Sequence, residues 1–142
     1  MNPRFQDWQI FLGEAVAAAD RMPFAWGTND CCLFVADCIR AMTGTDLGAS
    51  FRGKYDDPAS AMALIAFATD GGGVEQLVEQ LCRENDMGEV EVAYAQRGDI
   101  ALHDVEAGPA AGIIYGDGAL YLSEALGLVA VPRASIRRAW RV

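Results

Sequence analysis

The sequence is poor in histidine and in positive charge. It contains one histidine, His103, and eleven basic against twenty acidic side chains, which gives a formal net charge of −9. A chain with this charge repels nucleic-acid phosphates, so we expect no nucleic-acid partner. No stretch approaches the ~20 uncharged residues that a membrane helix needs, so we also expect no membrane span.

A secretory signal and metal-binding motifs are missing as well. The first ten residues lack the basic start, the apolar run and the small-residue cleavage site of a signal peptide. We therefore expect a cytoplasmic location on synthesis, with thiols and no disulfide. No C-x-x-C pair occurs, and Cys31 and Cys38 are two helical turns apart, ~10 Å along the axis. We expect no metal and no other cofactor. The four cysteines are Cys31, Cys32, Cys38 and Cys82.

The sequence does have enough apolar residues to build a core. With 52% hydrophobic and 22% charged residues, the chain is expected to fold as one domain over residues 1–142. Apolar periodicity predicts helices over residues 3–21, 31–43, 59–69 and 74–83. Short β-type runs predict strands over residues 90–94, 100–103, 111–115, 119–123, 128–131 and 136–142. Helices followed by strands predict an α+β fold, with N-terminal helices packed on a C-terminal antiparallel, barrel-like sheet.

Cys31 is the first candidate for chemistry. It opens the second predicted helix, where unpaired N–H groups and the helix dipole favour a thiolate. Asp30 precedes it and is expected to cap that helix. The competing interpretation is structural, because free cysteines are among the most buried residues.

Three segments, in this order, resemble the NlpC-type papain-like cell-wall peptidases. Residues 24–27 followed by Asp30 and Cys31 resemble the nucleophile segment of that family, and residues 97–102 and 112–118 resemble two of its strands. The resemblance covers roughly residues 22–123 and implies a papain-like NlpC-type fold with Cys31 as the nucleophile. It also implies substrate-binding positions at Trp26, Asp30, Tyr121 and Ser123.

A closer resemblance is to a poorly characterised prophage branch of the same superfamily. Residues 52–55 and the ending at residues 139–142 carry it. Such proteins tend to be encoded among tail genes. The implied partners are phage tail or baseplate proteins, or peptidoglycan, and the implied locations include the virion tail.

The sequence departs from the family pattern at the general base. A papain-like hydrolase needs a base within hydrogen-bond reach of the thiol and a third group that orients the base. The histidine of the family pattern is replaced here by Ala110, and only Tyr121 and Ser123 are polar where the third group would fall. His103 ends the preceding strand, so a hairpin would bring it beside Ala110 as a displaced base. The alternative is a surface histidine beside Asp104.

Two functions follow from these residues. The first is a degenerate, structural or partner-binding member of the fold, associated with a phage tail. The alternative is an active cysteine endopeptidase or amidase that hydrolyses peptidoglycan stem peptides, with Cys31 as nucleophile and His103 as base. The missing histidine at position 110 favours the first.

Overall fold

The computed structural model describes residues 3–142, which form four α-helices followed by six β-strands. The helices are α1 (Trp8–Arg21), α2 (Cys31–Thr43), α3 (Pro58–Ala68) and α4 (Val74–Glu84). The strands are β1 (Glu89–Val90), β2 (Ile100–Val105), β3 (Gly108–Tyr115), β4 (Gly118–Ser123), β5 (Gly127–Pro132) and β6 (Ile136–Trp140). The α+β class is confirmed.

The strands form one antiparallel sheet in the order β1-β6-β2-β3-β4-β5. The expected barrel-like closure is wrong, because the sheet is open and ends at β1 on one side and β5 on the other. The strand predicted over residues 90–94 is also shorter than expected. The carbonyls of Val92 and Ala95 accept hydrogen bonds from the Arg133 guanidinium at 2.6 and 3.4 Å, and Val92–Tyr94 forms a 3-10 turn.

The first helix begins later than its apolar pattern predicts. Residues 3–7 run outside the helix, since the Phe5 N–H donates to the Met42 carbonyl at 2.7 Å and Arg4 pairs with Asp99 at 2.8 Å. Within α1 only Leu12 and Ala19 are buried. Trp8, Ala15 and Val16 are partly buried and pack against the same core.

Helix α2 is the central element of the core. Its spacing places a buried stripe on one side, which contacts one face of the sheet and receives Leu12 of α1 and Cys82 of α4. Fully burying a large apolar side chain stabilises a fold by roughly 1.5–3 kcal/mol. Gly44 ends the helix with φ 80°, a left-handed conformation that favours glycine. The residues of this first cluster on α2 and the sheet are Phe34, Val35, Cys38, Ile39, Met42, Ile100, Leu102, Ala111, Ile113, Leu122 and Trp140.

The opposite face of the sheet carries a second cluster made largely of alanine. Side chains along a strand alternate between faces, so Ala101 belongs to this second cluster while its neighbours Ile100 and Leu102 belong to the first. Tyr121 packs against the second cluster. Its buried members are Ala95, Ala101, Ile114, Ala119, Val131, Ile136 and Ala139.

Asp99 joins the two ends of the described chain. Its fully buried carboxylate accepts from the Gln96 N–H at 2.8 Å, which fixes the turn before β2. It also accepts from Arg4 at 2.8 Å, Arg141 at 3.0 Å and the Val142 N–H at 3.1 Å. Asp99 therefore fixes the turn before β2 and also holds both terminal segments.

Candidate functional site

Asp30 organises the start of α2. Its carboxylate accepts from the Leu33 N–H at 2.9 Å, as expected of a helix cap. It also accepts from the Gly27 N–H at 2.9 Å and from the Tyr55 hydroxyl at 2.6 Å. Burial, followed by this hydrogen bond to Asp30, raises the pKa of Tyr55. The buried carboxylate thus fastens two loops to the helix that carries Cys31.

Gly27, the last residue of the segment 24–27 before Cys31, has a structural role. Its φ is 87°, and a Cβ at this position would collide with the Tyr55 carbonyl oxygen. Its own carbonyl accepts from the Gly53 N–H at 2.9 Å. A glycine is therefore required where the loop before Cys31 touches the loop before α3.

Cys31 is partly exposed at the first position of α2. A hydrogen bond from the Cys32 thiol lowers the pKa of Cys31, and the backbone N–H groups of both cysteines act in the same direction. Burial and the Asp30 charge oppose this shift. By contrast, burial raises the pKa of Cys82 to about 12 and raises that of Cys38 further. Cys31 is thus the thiol that its surroundings favour as a thiolate.

Cys32 is the proton donor of this pair. Its hydrogen bond to Cys31, its burial and the neighbouring charges of Cys31 and Asp30 raise the pKa of Cys32 well above the usual range. The second thiol therefore stays protonated and can support a charge on the first.

Trp26 links the loop before Cys31 to the turn between β4 and β5. Its indole N–H donates to the Glu124 carboxylate at 2.8 Å, and its ring packs edge-on against Phe24 with centroids 5.0 Å apart. Ser123 lies at the same β4–β5 turn, where its hydroxyl accepts from the Leu126 N–H at 3.3 Å. Both predicted substrate-binding residues therefore have contacts within the chain.

His103 lies opposite Ala110 in the β2–β3 hairpin, as the sequence predicted. The alternative of a surface histidine is wrong, because His103 is 2% exposed. Its ring packs on Tyr121 with centroids 4.6 Å apart. Burial lowers the pKa of His103, while the charge of Asp104 acts to raise it. Burial thus favours the neutral imidazole, the form in which a histidine can accept a proton.

The imidazole of His103 nevertheless makes no hydrogen bond to the Cys31 thiol within residues 3–142. Neither ring nitrogen has a hydrogen-bond partner within residues 3–142. His103 packs on Tyr121, which in turn packs against the second cluster, whereas Leu102 belongs to the first cluster. Among the predicted site residues, Trp26, Asp30 and Cys31 lie in the loop before α2 and at its start, and His103 and Tyr121 contact each other on the sheet.

An apolar cavity of about 60 Å³ lies beside Cys32 and was missed from the sequence. Its lining comes from α2, α3, α4, the loop before α3 and two strands, so no local pattern could have indicated it. The lining residues are Cys32, Leu33, Val35, Ala36, Leu47, Gly48, Phe51, Tyr55, Ile65, Leu77, Val78, Leu81, Cys82, Ile100 and Ala111. Within residues 3–142, no group of three or more potential ligands could hold a metal ion.

Comparison with known proteins identifies the family of the chain. No helix within the described range is long and apolar enough to cross a membrane. The comparison with curated proteins finds no match. A family model described as a domain of unknown function, DUF6950, matches residues 3–142. Because this match extends over nearly all of the 142 residues, the chain belongs to the DUF6950 family.

Proposed function

We propose that this chain is a non-hydrolytic relative of the NlpC-type cysteine peptidases that acts as a structural or partner-binding component of a phage tail. The proposal is supported by the lack of a base that is hydrogen-bonded to the Cys31 thiol within the described residues. Ala110 occupies the base position of the family pattern, and the buried His103 opposite it makes no hydrogen bond to Cys31 within the described residues. Without a base in reach, acyl transfer by a thiol loses its proton acceptor.

The tail assignment rests on the prophage-like segments, and each has a structural explanation. In residues 52–55, Arg52 pairs with Asp46 at 2.9 Å and Tyr55 donates to Asp30. In residues 139–142, Trp140 is buried and Arg141 pairs with Asp99 at 3.0 Å. Both segments therefore stabilise the fold, residues 52–55 through the loop before α3 and residues 139–142 through the C-terminal segment. We expect prophage proteins with the same segments to form the same contacts. Mass spectrometry of purified phage particles tests the location, and absence of the chain from them would contradict it.

The alternative function, a cysteine endopeptidase or amidase, draws support from the thiol itself. Cys31 stands at a helix start with its pKa lowered by Cys32. Backbone N–H groups at a helix start are also suitable donors for an oxyanion. His103 would then act as base only if it formed a hydrogen bond to the Cys31 thiol, which it does not make within the described residues.

Digestion of peptidoglycan separates the two functions. Purified wild-type protein, Cys31→Ser and Cys82→Ser are incubated with cell-wall sacculi, and released peptides are quantified by mass spectrometry. The proposal predicts no release above the buffer control for any of the three. Release by the wild type and Cys82→Ser, but not by Cys31→Ser, would establish the hydrolase instead.

A further inference from the structure

Helix α3 has no polar face, although it lies at the surface. Its eleven residues include no charged side chain, and only Ala61 and Ile65 are buried. The hydroxyl of its single polar residue, Ser60, completes a capping box with Asp57. A helix that is apolar all round normally lies in an interior, where both sides are covered.

The solvent side of α3 repeats the spacing of a buried stripe. Five apolar residues occur at i, i+3, i+4, i+7 and i+8, which places them on one side of the helix. Phe67 is 86% exposed and Met62 is 48% exposed. We refer to these residues as the α3 outer face, and they are Ala59, Met62, Ala63, Ala66 and Phe67.

The surroundings of the α3 outer face are acidic. Three exposed acidic side chains and one basic side chain, Lys54, flank the helix within residues 54–73, whereas Glu75 and Glu79 are paired with Arg137 and Arg138. Two of the acidic residues, Asp56 and Asp57, precede the helix, and Asp70 follows it, all three exposed. A second copy of the chain would place acidic ends against acidic ends, whether the two helices ran parallel or antiparallel. Charge complementarity therefore favours a partner with basic residues around an apolar surface.

We propose that the α3 outer face is a docking surface for an amphipathic helix of another protein, whose apolar stripe is flanked by lysine or arginine. The small side chains of the three alanines on this face would let a second helix approach closely beside Met62 and Phe67. Eleven residues give about 16 Å of helix for this contact. The inference rests on the proposed function only for the existence of a partner, and it involves neither Cys31 nor His103.

A synthetic amphipathic peptide of leucine and lysine is a suitable probe. Its binding to the full chain is measured by fluorescence anisotropy for the wild type, Phe67→Ser and Met62→Ser. Leu126→Ser is the matched control, since Leu126 is 75% exposed on the β4–β5 turn. We expect binding by the wild type and Leu126→Ser, at least a tenfold weaker affinity for the two α3 variants, and no binding of a leucine and glutamate peptide. Because no variant changes the net charge, attraction to the acidic surface alone cannot produce this pattern.

Four results would overturn the docking surface. They are no binding by the wild type, equal binding by all variants, equal binding of the glutamate peptide, and a wild-type homodimer that Phe67→Ser dissociates in sedimentation. The last result would assign the face to a second copy. Circular dichroism melting of each variant shows whether a loss of binding reflects unfolding. Peptide release from sacculi, measured separately, would contradict the proposed function without changing the result on α3.

Discussion

Cys31 and His103 are the two groups that a cysteine hydrolase would join, and their surroundings differ. Around Cys31, the Asp30 carboxylate accepts three hydrogen bonds, and the Cys32 thiol lowers the pKa of the Cys31 thiol. Around His103, the ring packs on Tyr121 and both nitrogens lack a hydrogen-bond partner among residues 3–142. The thiol has an organised polar setting, whereas the imidazole has an apolar one.

This difference indicates how the Cys31 region and the His103 region each affect the stability of the fold. An unsatisfied buried polar group costs about 1–3 kcal/mol, so the His103 setting lowers stability unless function or packing compensates. The Asp30 network does the opposite, because it satisfies buried donors from two loops. We infer that the Cys31 region is a stabilising anchor of the fold and that the His103 region is a local weakness.

Asp30→Ala tests the anchor and has the largest expected effect. The change removes the cap of α2, worth about 1 kcal/mol, and leaves the buried Gly27 N–H and Tyr55 hydroxyl without their acceptor. We expect the free energy of unfolding to fall by about 3 kcal/mol or more in urea denaturation.

Asp57→Ala is the matched control for that variant. Asp57 caps α3 in the same way, with Ser60 N–H at 2.7 Å, but it is exposed and holds no second loop. Its loss should therefore lower the free energy of unfolding much less than the loss of Asp30 does. Equal losses for the two variants would mean that Asp30 is an ordinary helix cap.

Cys32→Ala tests whether Cys32 sets the pKa of the Cys31 thiol. Because the Cys32 thiol is the largest influence that lowers the pKa of Cys31, its removal should raise that pKa. The rate of Cys31 alkylation near pH 7, followed by peptide mapping, should fall severalfold, and the curve of rate against pH should move to higher pH. Cys82→Ala should leave the curve in place. An unchanged curve in Cys32→Ala would show that Cys32 does not set the reactivity of Cys31.

His103→Leu tests the weakness on the other side. Replacing an unsatisfied buried ring with an apolar side chain should be neutral or stabilise the fold by about 1 kcal/mol at pH 7. Burial holds the folded-state pKa of His103 below its unfolded value of about 6.5. The unfolded wild type therefore binds the proton first, and wild-type stability declines as the pH falls below about 6.5. The advantage of His103→Leu should grow from pH 7 to pH 5 in urea denaturation, and a constant difference would contradict the neutral buried state.

Trp26→Phe has the smallest expected effect. It removes the hydrogen bond to Glu124 and keeps an aromatic ring against Phe24. Because this bond is exposed, we expect a loss of about 0.5 kcal/mol in unfolding free energy. Glu124→Gln retains an acceptor and should be closer to the wild type. A loss above about 2 kcal/mol would make this link a second anchor of the Cys31 region.

Local signals predicted much of the fold and part of the site. The cap at Asp30 and the helix behind Cys31 are defined by residues within one helical turn, and a short hairpin loop fixes His103 opposite Ala110. The contact between Asp30 and Tyr55 spans 25 residues, and that between Trp26 and Glu124 spans 98. No periodic pattern connects such distant positions, so the sequence could not predict these contacts.

Two further differences between the sequence prediction and the structure also result from contacts between distant residues. The exposed Asp104 next to His103 suggested a surface position, but the ring is buried by Tyr121 from another strand. The sheet is open because its outer strands β1 and β5 do not pair, which depends on the arrangement of all six strands. Tertiary contacts, and not local propensity, decide both features.

The most direct test of the proposed non-hydrolytic function is whether His103 influences the Cys31 thiol. The rate of Cys31 alkylation is measured against pH in the wild type and in His103→Ala, with circular dichroism melting to confirm that the variant is folded. We expect the two curves to coincide, because no hydrogen bond joins the residues in the described chain. A curve displaced to higher pH in His103→Ala would reveal a functional Cys-His pair and contradict the proposed non-hydrolytic function.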